Sequence, residues 1–106
     1  MKKSGHTEER CTMRAILDII GGKWSMPIIY TLFSGTKRFS DLEKSITGIN
    51  TRMLSKELRN MEKNGIVVRE VFATVPPTVE YSLTERGLRL EPILTELHAW
   101  GRDLVG

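Results

Sequence analysis

Few side chains in this sequence are able to react. A single cysteine, Cys11, stands between Arg10 and Thr12, with Arg14 one helical turn on. Nearby guanidinium groups and a helix N-terminus both favour thiolate over thiol. A thiolate can become a sulfenic acid, an adduct with an electrophile or half of a disulfide. One cysteine cannot close an internal disulfide, so any such bond must be intermolecular. The inert reading is equally concrete. With Thr12 as a helix cap, Cys11 sits just outside it and packs on Ile16 as a hydrophobic staple. Beside Cys11 there are two histidines, His6 and His98, and the three residues form no zinc-ligand spacing. His6 lies in the leading tail, and His98 falls off the apolar stripe of the last helix as a solvated residue. There is no glycine-rich phosphate loop and no evident partner for a nucleophile, which argues against an enzyme.

The other chemistry is that of cations on a rod. In the segment INTRMLSKELRNMEKNG, Leu54, Leu58 and Met61 fall on one side at ~100° per residue. Arg52, Ser55, Lys56, Arg59 and Lys63 fall on the other. The first side must bury. The second has the shape that a DNA major groove admits, with Arg and Lys able to reach guanine edges and phosphates. Arg52, Ser55, Lys56 and Arg59 are the candidate base and phosphate contacts, with Thr51 near the helix start as a lesser one. Lys37, Arg38 and Lys44 are candidates for backbone contacts. A solvated charged face is the alternative for all of them.

Two helices and a turn are needed to present that rod. Ser40 followed by Glu43 is a capping-box pattern that starts the first of them, with Leu42 and Ile46 as its apolar side. Thr47-Gly48 breaks it. Asn50 or Thr51 caps the second, which runs to about Asn64, and Gly65 is free to take the left-handed closing conformation. Beyond Gly65 the texture changes. IVVREVFA is β-branched and aromatic, TVPP is a turn, and TVEYSLT alternates with Val79, Tyr81 and Leu83 on one face. A helix-turn-helix followed by a hairpin is a winged helix. The wing tip, Thr74-Val75-Pro76-Pro77, has no Lys or Arg, so this wing positions weakly or through backbone amides.

Ahead of this unit, Thr12 caps a helix to about Ile20 with a Met13, Ile16, Leu17, Ile20 stripe, ended by Gly21-Gly22. A second helix spans about Lys23 to Ser34, capped near Ser25 so that Pro27 falls in the first turn, where amides have no helical acceptor to lose. Trp24, Met26, Ile28, Ile29, Leu32 and Phe33 spread around it, which places it at the centre of the domain. Lys37-Arg38-Phe39 is a short edge strand. Thr84-Glu85 caps a last helix that bends or breaks near Pro92 and runs towards Leu104. Ile93, Leu97, Trp100 and Leu104 form its apolar stripe, flanked by Leu90, Leu94 and Val105. Closing the monomer core is one use for this face. The width of the stripe favours a second subunit, with Leu90, Ile93, Leu94, Leu97, Trp100 and Leu104 as the interface.

Length and charge agree with such a unit. A chain of 106 residues is one domain's worth, and 40% hydrophobic residues suits a globular protein. No apolar run approaches the ~20 residues of a membrane span. The first ten residues lack the hydrophobic core of a secretory signal and are expected to be a flexible tail, which makes the protein cytoplasmic. Net charge is +3. Between Lys37 and Arg69, eight bases (Lys37, Arg38, Lys44, Arg52, Lys56, Arg59, Lys63, Arg69) meet four acids (Asp41, Glu43, Glu57, Glu62), a net +4. From Glu80 onward, Glu80, Glu85, Glu91, Glu96 and Asp103 outnumber Arg86, Arg89 and Arg102, a net −2. The positive charge gathers on the helix pair, the footprint of a DNA reader.

CTMRAILDIIGGKWSMPIIYTLFSGTKRFSDLEKSI, RMLSKELRNMEKNGIVVREV, VEYSLTERG and LEPILTELHAWG, in that order and spacing, resemble the HxlR family of bacterial transcriptional regulators, MarR-like winged-helix dimers. The resemblance covers nearly everything from Cys11 onward. It implies an α+β, mainly α fold: a flexible tail over 1–10, then a winged helix-turn-helix domain over 11–106 with a terminal dimerisation helix. It implies a homodimer built from the first and last helices on a pseudo-palindromic double-stranded DNA operator, with 50–64 as recognition helix and no cofactor. Several members of the family use a cysteine just ahead of the first helix to sense oxidants or electrophiles, and Cys11 matches that position. The alternative is a winged helix that docks an acidic protein and has no DNA ligand.

Overall fold

The computed structural model describes residues 2–105, with side-chain surroundings from residue 8 onward. The flexibility expected of residues 1–10 and the place of His6 therefore lie wholly or partly outside the described residues. Helix α1 spans Lys2–Ile20 and α2 spans Ser25–Phe33. The two-residue strand β1, Lys37–Arg38, leads into α3, Phe39–Ser45, and α4 spans Thr51–Lys63. Strands β2, Val67–Phe72, and β3, Thr78–Leu83, form the hairpin. A four-residue α5, Glu85–Leu88, and the long α6, Leu90–Val105, close the chain. The sheet is antiparallel in the order β1-β3-β2, with Lys37 opposite Tyr81 and Val67 opposite Leu83. This is a winged helix-turn-helix: mainly helical, with a three-stranded sheet and a long last helix.

The core forms where the sequence periodicities converge. Ile28 and Ile29 of α2 have no exposed surface, and Leu32 is buried beside them. Leu42 comes from α3, Leu54, Leu58 and Met61 from α4, Tyr81 and Leu83 from β3, and Leu94 from α6. The alternation in β3 thus points its predicted face inward. Deleting a buried leucine at such a site costs ~2–5 kcal/mol, so these contacts set the relative placement of α3, α4 and the sheet.

The corner after α4 is fixed by specific bonds. Gly65 takes a φ of 74°, the left-handed closing conformation. The Thr84 hydroxyl donates to the Gly65 carbonyl at 2.6 Å and accepts from the Gly87 amide at 3.0 Å, so one residue caps α5 and holds the corner. A Cβ at Gly87 would strike the Ile66 carbonyl oxygen, so only glycine allows this approach.

Several helix boundaries differ from the sequence expectation. Helix α1 is continuous from Lys2, so Thr12 is an interior residue and not a cap. No Gly or Pro lies between His6 and Ile20 to stop the helix there. Helix α3 starts at Phe39, with Arg38 in the cap position and no side-chain cap, and not at Ser40. The pairing of Arg38 with Glu80 in the sheet keeps Arg38 extended and lets the helix begin immediately after it. Ser25 is the first residue of α2 and not its cap; it is buried, and its hydroxyl donates to Glu57 at 3.3 Å. The break expected near Pro92 falls at Arg89. The proline ring excludes the carbonyl of Leu88 four residues back, which ends α5 there and leaves Pro92 in the first turn of α6.

Candidate nucleic-acid interface

Helix α4 begins where the side chain of Asn50 accepts from the Met53 amide at 2.8 Å. Such a cap stabilises the helix by ~1 kcal/mol and fixes its first turn. Leu54, Leu58 and Met61 anchor the inner face with at most 1% exposure, so the helix cannot roll. Arg52, Lys56, Arg59 and Lys63 are all exposed. Their i, i+4, i+7, i+11 spacing aligns them in one stripe along the outside. Among the described residues, none holds these four cations in an ion pair or hydrogen bond.

The predicted polar contacts do not all lie on that stripe. Thr51 is exposed, but its hydroxyl donates to the Glu43 carboxylate of α3. That bond ties the two helices of the motif together and gives Glu43 a partner other than the capping box. Ser55 is half-buried and turned towards the sheet. Arg59 lies at the edge of the stripe and shares a recess with Ser55, Glu62, Arg69 and Tyr81. An adjoining cleft of about 460 Å³ is lined by Arg38, Phe39, Ser40, Ser55, Arg69, Pro77, Thr78, Val79 and Tyr81. Lys37 is half-buried opposite Tyr81, and Lys44 is exposed in the last turn of α3.

Sequence reasoning missed Arg69 and Tyr81 as lining residues. One signal was available. Arg69 is two residues from the buried Val67 on β2, so strand alternation puts it on the inner side of the sheet, facing the helices. The wing tip is as uncharged as its residues require, with Val75 fully exposed.

Cys11 is exposed in the middle of α1. It is neither beside a helix N-terminus nor outside a cap at Thr12, so both the dipole argument and the staple with Ile16 lose their geometry. The dipole effect fades within the first turn. What stands is its place between Arg10 and Arg14, the latter three residues on along the same face.

The proposed interface residues of the last helix divide in two. Leu94 is buried in this chain's own core, and Leu90 packs partly against it. Leu94 is therefore corrected from interface to core, because the stripe in the sequence does not say which flank meets the domain. Ile93, Leu97, Trp100 and Leu104 are 53–69% exposed, and Met13 and Leu17 of α1 are similarly open. Among the described residues, no group of three or more His, Cys, Asp or Glu gathers as a metal site, and no helix is long and apolar enough to cross a membrane.

Comparison with known proteins places this geometry. The model of the HxlR-like helix-turn-helix family matches residues 19–106. The chain is 47% identical over 93 residues to the HTH-type transcriptional regulator YdeP of Bacillus subtilis (strain 168), covering 88% of this chain and 73% of YdeP. It is similar to the crystal structure of ytcD, with a TM-score of 0.83 and 43% identity over 88% of this chain and 95% of that one. It is also similar to the redox regulator HypR in its oxidised form, with a TM-score of 0.79 and 46% identity over 88% of this chain and 96% of HypR. With the winged helix, the exposed cationic helix and these matches in hand, the chain belongs to the HxlR-like helix-turn-helix family: it is a DNA-binding transcriptional regulator of the HTH type and not an enzyme.

Proposed function

We propose that two copies of the chain form a homodimer that reads a pseudo-palindromic operator, one α4 entering the major groove at each half-site. The observation that carries this reading is the contrast on the surface. Helix α4 leaves Arg52, Lys56, Arg59 and Lys63 exposed and unengaged, while α1 and α6 leave Met13, Leu17, Ile93, Leu97, Trp100 and Leu104 open to solvent. Cations in that number suit a polyanion, and apolar side chains in that number suit a like surface. Two recognition helices ~34 Å apart meet the same side of a duplex, so the terminal helices that set their separation also set affinity. The site of action is the cytoplasm, where the chromosome lies.

Cys11 adds control by an oxidant or electrophile. It is exposed, lies in a helix that carries part of the apolar face, and has Arg10 and Arg14 beside it in sequence. HypR, a redox regulator by name, is solved in oxidised and reduced forms, which supports the same behaviour here. With diamide, the thiols of two subunits join, and two electrons and two protons pass to the diamide. Diamide is expected to yield a dimer on a denaturing gel that dithiothreitol reverses and that Cys11→Ser abolishes. A dimer of that kind in Cys11→Ser, or none in the wild type with DNA binding unaltered by diamide or a quinone, contradicts thiol control. For the main reading, the test is a gel shift with DNA selected from a random pool. Binding should fall by orders of magnitude between 50 and 200 mM salt, because neutralising several phosphates releases counterions and added salt opposes that release. Capture of an acidic protein with no selected DNA favours the docking alternative instead.

A further inference from the structure

Three arginines from three separate elements border the space between α4 and the sheet, Arg69 lying on both of its recesses, Arg38 on one and Arg59 on the other. Arg38 stands at the junction of β1 and α3, Arg59 is on α4 and Arg69 is on β2. They line two adjoining recesses that share Ser55, Arg69 and Tyr81. Tyr81 is only 7% exposed, with its ring 6.3 Å from that of Phe39. Its hydroxyl has no hydrogen-bond partner among the described residues. The hydroxyl is not a buried orphan: it opens into the two recesses, where an oxygen of a ligand can meet it. Glu62 is the one carboxylate on the walls of either recess, which leaves the pair of recesses net positive.

The donor set decides what fits. Guanidinium groups only donate, and their planar forks match phosphate oxygens. The phenol and the Ser55 hydroxyl add O–H donors. A base edge presents donors and acceptors together, whereas these recesses offer mainly donors. We propose that the cleft between α4 and the sheet seats one DNA backbone phosphodiester per subunit, held by Arg38, Arg59, Arg69 and the Tyr81 hydroxyl. This rests on the DNA-reading function above and deepens it. It assigns Arg69 and Tyr81 to the DNA interface. It also explains how a wing with an uncharged tip contributes: its cation sits at the base of the hairpin, beside the recognition helix. A phosphate fixed there sets the register in which Arg52 and Lys56 meet the bases.

The test measures dissociation constants for the selected operator and a scrambled duplex across 50–200 mM salt. Arg69 is exposed, and Tyr81→Phe keeps the ring, so both variants should fold. Arg69→Ala should weaken both duplexes by the same factor, on the order of tenfold. It should lower the salt slope by ~0.9 for each engaged subunit. Tyr81→Phe should weaken both equally by a smaller factor and leave the slope unchanged, because no charge is removed. Glu62→Gln should strengthen both. Wild-type binding in Arg69→Ala and Tyr81→Phe overturns the proposal, as does an Arg69→Ala variant that changes base preference. If Arg52→Ala alone impairs a wild type that binds well, only the phosphate cleft falls. If the wild type binds no duplex, the cleft and the reading beneath it fall together.

Discussion

Helices α4 and α6 are both amphipathic, and they resolve that property in opposite ways. Helix α4 buries its apolar face in its own chain, with Leu54, Leu58 and Met61 at most 1% exposed, and turns its cations outward. Helix α6 buries Leu94 alone and leaves Ile93, Leu97, Trp100 and Leu104 open. A face that is satisfied within one chain is free to present chemistry. A face that is not satisfied asks for another surface. The one domain thus has one amphipathic helix satisfied within the chain and one that is not.

The sharpest way to break this contrast is to charge the unsatisfied face. Trp100→Glu places a carboxylate among exposed apolar side chains, and the chain should still fold as a monomer because Trp100 touches no core. In the proposed dimer, losing the tethered second half-site should lower operator affinity ~10²–10⁴-fold, read by gel shift beside sedimentation. Next in size is the satisfied face. Leu58→Ala opens a cavity under α4 and should cost ~2–5 kcal/mol in chemical denaturation, with the midpoint shifted and the exposed face of α6 untouched. Arg52→Ala should leave the melting curve unchanged and cost ~1–3 kcal/mol of operator binding if the guanidinium meets a base. The smallest effect should come from Asn50→Ala, which removes the cap bond to Met53 and costs ~1 kcal/mol of stability, measured in the same denaturation assay.

The contrast also separates what the sequence disclosed from what it did not. Features governed by a few adjacent residues were legible: the Asn50 cap, the left-handed Gly65, the inward face of Val79, Tyr81 and Leu83, and the cationic stripe itself. Features settled by distant partners were not. Ser40 with Glu43 reads as a capping box, yet sheet pairing at Arg38 starts α3 one residue earlier and Glu43 meets Thr51 instead. Thr12, by contrast, was a local misreading: it reads as a cap, yet nothing ahead of it interrupts α1. Leu94 and Leu97 are alike in the sequence, and only the packed domain shows that the first points home and the second away. That Arg69 borders one recess with Arg38 and the next with Arg59 depends on the sheet register, which no local pattern records.

The most direct measurement is the sequence and spacing of DNA enriched from a random pool by the wild-type chain. Paired readers predict two inverted half-sites with centres about one helical turn, ~10 base pairs, apart. Enrichment of a single unpaired half-site, or of no sequence at all, would contradict the account.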